Sequence, residues 1–141
     1  MIYKFLFPSE PSDRNNSLLL LAVRIVFGLL LLSHGIQKWN AFPELSSSFP
    51  DPLGLGSQIS LSLAIFGELV CSLGFIFGIL YRLAMIPMIF TMLVAFFVIH
   101  GQDPFAVKEL AFIYLAVYII MYITGPGKYA IDHFLTKKDK E

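Results

Sequence analysis

Four long runs of apolar residues, separated by short polar segments, form most of the chain. They cover residues 17–38, 58–80, 83–100 and 106–124. Each run has close to the ~20 residues that an α-helix needs to cross the ~30 Å hydrocarbon core of a bilayer. Short connections make consecutive helices antiparallel. The pattern therefore predicts an all-α, polytopic membrane protein built as an antiparallel bundle of four transmembrane helices.

The composition favours the same class. Hydrophobic residues make up 57% of the chain and charged residues only 14%, whereas a soluble domain of this size needs more charge on its surface. Ten basic residues balance ten acidic ones, so no basic surface indicates a nucleic-acid partner. The single cysteine, Cys71, excludes an intramolecular disulfide and a CxxC redox pair, and we expect it to be a small packing residue.

The chain divides into three parts by composition. They are an N-terminal segment, 1–16, a membrane domain, 17–135, and a charged tail, 136–141. The first apolar run is longer than the apolar part of a signal peptide and has no small-residue cleavage pattern, so we expect it to be retained as a helix. Asn16 or Ser17 is expected to cap that helix. Short interfacial helices are expected near 41–49 and 128–135.

Basic residues at or beyond the ends of the apolar runs are distributed unequally between the two sides of the predicted bundle. Seven lie on the side of the chain termini: Lys4, Arg14, Arg82, Lys128, Lys137, Lys138 and Lys140. Only Lys38 and Lys108 lie on the other side. The positive-inside rule predicts that both termini are cytoplasmic.

Arg24 lies about a third of the way along the first apolar run. A charge inside a membrane helix is costly unless it finds a partner, so Arg24 predicts a counter-ion on another helix. Glu68 in the second run is the candidate, at a depth of ~18 Å from the cytoplasmic side against ~10 Å for Arg24. Gly28 and Gly67 leave space for the two helices to approach. The pair is interpreted either as part of a proton or ligand site or as a clamp that fixes helix register.

A second polar cluster is expected near the outer ends of the helices. It comprises His34, Lys38, His100, Lys108 and Glu109. Such groups can bind a quinone carbonyl, an anion or protons, and histidine titrates near neutral pH, so activity at this cluster is expected to depend on pH. The alternative is that the lysines only extend to the interface, as basic residues at helix ends commonly do.

Other polar and aromatic residues give weaker indications. No HxxxH or ExxH spacing indicates a metal site. Tyr114, Tyr118 and Tyr122 recur at every fourth residue, which favours packing and interface anchoring, with stacking on a quinone as the alternative. Asp132 either pairs with Arg82 on the same side or is solvated.

Several of these motifs, in this order, resemble the DoxX family. They are Arg24, Gly28, His34-Gly35 and Lys38 in the first helix, the loop sequence FPDPLG at 49–54, Gly67-Glu68 with Gly78 and Arg82, Lys108-Glu109, and GPGKY at 125–129 with Asp132. The resemblance covers roughly residues 17–135. It implies a four-helix protein of the bacterial inner membrane. Some relatives are subunits of a thiosulfate:quinone oxidoreductase, and others are linked to sulfur metabolism and oxidative stress.

The leading functional hypothesis is a membrane subunit of a redox system that binds a quinone or a small sulfur-containing or anionic substrate at the outer cluster. The residues expected to be catalytic, by exchanging or relaying protons, are His34, His100 and Glu68. Those expected to bind substrate are Arg24, Lys38, Lys108 and Glu109. Without a haem, flavin or cysteine-pair motif, the chain is expected to need a partner subunit for electron transfer.

The alternative hypothesis is a non-enzymatic membrane scaffold, or a permease for protons or small solutes, whose polar residues line a path or an assembly face. Membrane lipid is an expected partner in either case, and assembly as a homo-oligomer is compatible with both.

Overall fold

A computed structural model describes residues 12–138 of the chain. The start of the predicted N-terminal segment, residues 1–11, and the end of the predicted tail, 139–141, lie outside the described residues, as do Lys4 and Lys140. The described part is helical and contains no strand.

The helices are α1 Asp13–Asn40, α2 Phe42–Leu45, α3 Ser57–Phe77, α4 Tyr81–Ile99, α5 Phe105–Thr124 and α6 Ile131–Lys138. Helices α1, α3, α4 and α5 are long and apolar enough to cross a membrane. The predicted all-α bundle of four spans is confirmed, with boundaries shifted by a few residues. We call the end where α1 begins and α5 ends the terminal end, and the end that carries α2 the loop end.

Helix α1 begins earlier than expected. The side chain of Ser12, rather than Asn16 or Ser17, caps the helix and accepts a hydrogen bond from the backbone N–H of Asn15 at 3.3 Å. Asp13 adds a negative charge in the first turn, where the helix dipole favours one. Ser17 is buried inside the helix, and its Oγ accepts from the N–H of Lys128 at 3.4 Å.

Helices α1 and α3 pack closely because α1 presents glycines to its neighbour. A Cβ atom on Gly35 would lie 2.7 Å from the backbone N of Leu69 and 2.8 Å from the carbonyl carbon of Glu68. A Cβ on Gly28 would similarly collide with the side chain of Ile76. Only glycine at these positions allows the two backbones to approach this closely. The contacts fix which levels of the two antiparallel helices face each other.

The tight turn between α3 and α4 is held by the start of α6. Both oxygens of Asp132 accept backbone hydrogen bonds, from Leu80 at 2.9 Å and Tyr81 at 2.8 Å, at the beginning of α4. In return the N–H of Asp132 donates to the carbonyl of Gly78 at 2.9 Å. The alternative pairing of Asp132 with Arg82 is wrong, because the carboxylate caps α4 instead.

Aromatic side chains fill the centre of the bundle. Phe75 stacks on Tyr81 with ring centroids 5.7 Å apart and meets Tyr118 edge-on at 5.3 Å. The Tyr118 hydroxyl donates to the carbonyl of Phe27 at 3.0 Å, which joins α5 to α1. Tyr114 stacks on Tyr118 at 5.8 Å. These contacts give Tyr114 and Tyr118 the packing role that their spacing indicated, and Cys71 is buried in the same core.

Candidate functional site

A groove of ≈ 650 Å³ lies between α3 and α4 at the loop end of the bundle. Its walls include Leu63 and Phe66 from α3 and Ile86 and Phe90 from α4, all of which have exposed side chains. Residues 49–53 of the connection between α2 and α3 supply Phe49, Pro50, Pro52 and Leu53 to the lining. The groove, called here the α3–α4 groove, is therefore largely apolar and opens onto the face of the bundle that meets lipid.

An ion pair forms part of the groove wall. The Nζ atom of Lys38, near the end of α1, lies 2.6 Å from Oε2 of Glu68 in α3. The Glu68 side chain is only 7% exposed, whereas that of Lys38 is 26% exposed. Glu68 is thus the deeper partner, and Lys38 remains more accessible. His100, at the end of α4, also lines the groove.

Glu68 lies in a wide turn of its helix. Residues Phe66–Val70 are π-helical, and the N–H of Cys71 donates to the carbonyl of Phe66 five residues earlier. Single π-helical turns occur frequently at functional sites. Next to Glu68, a Cβ on Gly67 would lie 2.6 Å from Oγ1 of Thr91, so α3 and α4 are in close contact beside the ion pair.

The predicted pair between Arg24 and Glu68 is wrong. Arg24 is 1% exposed, and its guanidinium donates to two backbone carbonyls, from Nη1 to Pro126 at 3.2 Å and from Nη2 to Tyr129 at 2.7 Å. Its Nε atom has no hydrogen-bond partner within residues 12–138. Arg24 therefore holds the segment after α5 against the terminal end of the bundle, away from the α3–α4 groove.

The register of α1 against α3 explains this outcome. Gly35 faces the backbone of Glu68, so Lys38, one turn further along, reaches the carboxylate. Arg24 lies eleven residues before Gly35, which is ~16 Å along the helix axis and beyond the reach of an arginine side chain. At that level Arg24 meets Gly78 instead: a Cβ on Gly78 would lie 2.8 Å from Nη1.

The outer polar cluster is only partly assembled. Lys38 and His100 line the groove together with Glu68. The Nδ1 atom of His100 lies 2.8 Å from Oδ2 of Asp103, which orients its ring at the groove. His34 does not line the groove, and its ring meets Tyr114 edge-on at 6.1 Å.

Lys108 and Glu109 lie outside the groove. The Nζ atom of Lys108 lies 4.8 Å from the ring centroid of Phe96 and donates to the carbonyl of Gly101 at 3.3 Å. The side chain of Glu109 is exposed. The expected grouping of Lys108 and Glu109 with His34 and Lys38 at one site is therefore not formed, because Lys108 contacts Phe96 and Gly101 and Glu109 is exposed.

Asp51 belongs to the loop sequence FPDPLG but was not among the residues predicted to form a site. Its carboxylate accepts from Ser60 Oγ at 2.8 Å and from the backbone N–H groups of Gly56 at 2.8 Å and Leu55 at 2.9 Å. The hydrogen bond from the Ser60 hydroxyl, followed by that from Gly56, lowers the pKa of Asp51. These bonds fasten the connection above the groove to the start of α3. An aspartate followed by Pro-Leu-Gly is a recognisable turn signal.

No group of three or more histidine, cysteine, aspartate or glutamate side chains within residues 12–138 is arranged to hold a metal ion. The α3–α4 groove itself offers an ammonium that donates hydrogen bonds, a carboxylate that accepts them, and an imidazole that can do either.

Comparisons with known proteins place these features in a family context. The family model DoxX matches residues 19–101, which include most of α1, all of α3 and α4, and the α3–α4 groove. An uncharacterized protein of Haemophilus influenzae is 29% identical over 126 residues, covering 84% of this chain and 83% of its own length. An uncharacterized membrane protein of Mycobacterium tuberculosis is 25% identical over 143 residues, covering 84% and 82%. No solved structure matches the chain significantly.

Proposed function

The chain belongs to the DoxX family of integral membrane proteins, and from that premise we propose that it is a quinone-binding subunit of a redox system in the bacterial inner membrane. One observation carries the proposal. An apolar groove that opens toward lipid has a buried carboxylate and a lysine ammonium, 2.6 Å apart, in its wall. A quinone has a polar head and a long apolar tail, so its polar and apolar parts match those of the groove.

The polar groups of the groove suit a quinone head. The Lys38 ammonium carries three donors, and one that is not bonded to Glu68 can donate to a quinone carbonyl oxygen. Reduction of a quinone to a quinol takes up two electrons and two protons. Glu68 and His100 line the groove and are the residues proposed to exchange those protons.

The apolar walls suit the tail. Leu63, Phe66, Ile86 and Phe90 line the groove and are also exposed on the outside of the bundle. A ligand dissolved in the bilayer can therefore enter sideways between α3 and α4 without crossing water. Because the tail comes from lipid and not from water, the hydrophobic effect contributes little, and van der Waals packing against these side chains favours binding.

The electrons come from elsewhere in this proposal. The sequence has no haem, flavin or paired-cysteine motif, so a second membrane or peripheral subunit would oxidise the primary reductant, a small sulfur-containing compound, and pass electrons to the quinone. The excess of basic residues at the terminal end supports placing both termini in the cytoplasm. The α3–α4 groove then faces the outer leaflet.

Trp39 offers a direct test of quinone binding. It is the only tryptophan in the chain and follows Lys38 directly, and quinones quench indole fluorescence at short range. Protein in lipid nanodiscs is titrated with a short-chain quinone. We expect saturable quenching that is lost in Lys38→Gln and Glu68→Gln. The matched control is Lys108→Gln, which removes a lysine that lies outside the groove and should bind normally.

Quenching that rises without saturation, or that is the same in all three variants, would contradict the quinone site. Proton or solute flux into proteoliposomes that contain this chain alone would instead favour the permease alternative. Orientation is tested separately with Ser47→Cys and Lys138→Cys. A membrane-impermeant thiol reagent added to intact cells should label only residue 47, since the native Cys71 is buried.

A further inference from the structure

A second feature lies between α4 and α5 and extends from the terminal end. Arg82 is in the first turn of α4, and its side chain is exposed. Its guanidinium carbon lies 5.6 Å from the ring centroid of Tyr122 in α5, a cation–π contact. Among residues 12–138 no carboxylate lies within ion-pairing distance of Arg82, and Asp132 is occupied by backbone N–H groups.

An apolar notch of ≈ 260 Å³ lies between α4 and α5. It is lined by Ile86, Ile89, Phe90, Leu93 and Tyr122. Tyr122 thus both contacts the Arg82 guanidinium and lines the notch. Tyr122 therefore connects the positive charge of Arg82 to the apolar notch.

The distance from Arg82 to the far end of the notch matches one leaflet of a bilayer. Arg82 and Leu93 are eleven residues apart on one helix, which corresponds to ~16 Å along its axis. This is about half of the ~30 Å hydrocarbon core. A phospholipid has a charged headgroup followed by an acyl chain that extends to the middle of the bilayer. Arg82 and the apolar side chains beyond it follow the same order.

We infer that this surface binds an anionic phospholipid from the leaflet at the terminal end, with its phosphate on Arg82 and an acyl chain in the α4–α5 notch. The planar guanidinium can donate two parallel hydrogen bonds to a phosphate, which favours arginine for this role. A net negative headgroup is selected because the choline of a zwitterionic lipid would place a second cation near Arg82. Ile86 and Phe90 also line the α3–α4 groove, whereas Ile89 and Tyr122 line the notch and not the groove. The proposed lipid site is defined by Arg82 and the notch and does not depend on quinone binding.

The test is native mass spectrometry of the protein in micelles that contain equal amounts of phosphatidylglycerol and phosphatidylcholine. We expect retained phosphatidylglycerol in preference to phosphatidylcholine. Arg82→Gln should reduce that preference about fivefold, the change expected for one basic residue near a membrane surface. Ile89→Trp, which fills the notch, should reduce retention of both lipids while leaving the preference intact.

Lys128→Gln is the matched control. It removes an exposed basic residue from the same end of the bundle without touching the notch. Equal losses in Lys128→Gln and Arg82→Gln would show general surface attraction and overturn the site. Equal retention of the two lipids by the unaltered protein would also overturn it. Glycerol phosphate has the phosphate headgroup but no acyl chain, so it should not displace the lipid. Displacement at matched concentration would overturn the lipid site and indicate a site for free phosphate.

Discussion

Lys38 Nζ lies 2.6 Å from Glu68 Oε2, which joins residues thirty positions apart on two membrane-spanning helices. The contact exists because Gly35 brings the backbone of α1 against that of α3 at the level of Glu68. It places a compensated charge in the wall of an otherwise apolar groove. The packing of Gly35 on Glu68 therefore fixes the helix register and brings two charged groups, Lys38 and Glu68, into the candidate site.

The cost of removing one partner of this ion pair should depend on which partner is removed. Lys38→Met leaves the carboxylate of Glu68 alone and nearly buried, which should cost about 3–5 kcal/mol. Glu68→Met should cost less, because Lys38 is partly exposed and its long side chain can extend to water or headgroups. The measurement is the thermal unfolding midpoint of each purified variant in the same detergent.

The double variant Lys38→Met/Glu68→Met completes the cycle. It removes both charges, so much of the stability lost in Lys38→Met should return. Purely additive losses would mean that the ion pair does not form in the membrane. Arg24→Leu combined with Glu68→Leu should be additive, since those two residues do not meet.

Arg24 should control the attachment of the segment after α5. Its two hydrogen bonds to the carbonyls of Pro126 and Tyr129 are charge-assisted, and hydrogen bonds of this kind contribute about 1.5–3 kcal/mol each. Arg24→Leu should therefore expose residues 125–138 to protease. Arg24→Lys should give only partial protection, because one ammonium cannot span both carbonyls in the same way.

Limited proteolysis followed by mass spectrometry of the fragments gives the readout. Arg14→Leu is the control, because it removes an exposed arginine from the same helix. If Arg24→Leu is cleaved no faster than Arg14→Leu, the proposed attachment is incorrect.

The number and type of helices were predictable because four apolar runs of membrane length leave few alternatives. The partner of Arg24 was not, because counting residues from helix ends does not fix the register of one helix against another. Counted from the observed ends, Asp13 and Phe77, Arg24 and Glu68 would lie at nearly equal depths, ~16 Å and ~14 Å. The close contact of Gly35 with the backbone of Glu68 instead places Arg24 about three turns away from Glu68.

The groove itself could not be predicted from the sequence either. It is formed by residues 49–53, the middle of α3 and much of α4, which periodicity cannot place together. Lys38, Glu68 and His100 were all selected as candidates for a site, but their common location depended on tertiary packing. His34 was selected by the same reasoning, and the structure places it against Tyr114 instead.

Asp51 should make the connection above the groove sensitive to acid. Its pKa is lowered by the hydrogen bond from Ser60 and by backbone N–H groups, so the folded state favours the charged form. The stabilisation is present above the unfolded pKa, about 3.9, and is lost as pH falls through the lower folded value. Unfolding midpoints measured from pH 7 to pH 3 should fall more for the native protein than for Asp51→Asn, which lacks this titration. Parallel profiles would contradict the prediction.

The most direct measurement of the central claim is to map where a quinone binds. A photoreactive quinone with a short alkyl tail is irradiated with the protein in nanodiscs, and the labelled peptides are identified. Labels should fall on α3 and α4 within 57–70 and 86–99 and should be absent from Ala64→Phe, which fills the groove with a ring. Ala22→Phe, which adds the same ring to an exposed position on α1, should label normally. Labelling that persists in Ala64→Phe, or that lies on other helices in the native protein, would contradict a quinone site in the α3–α4 groove.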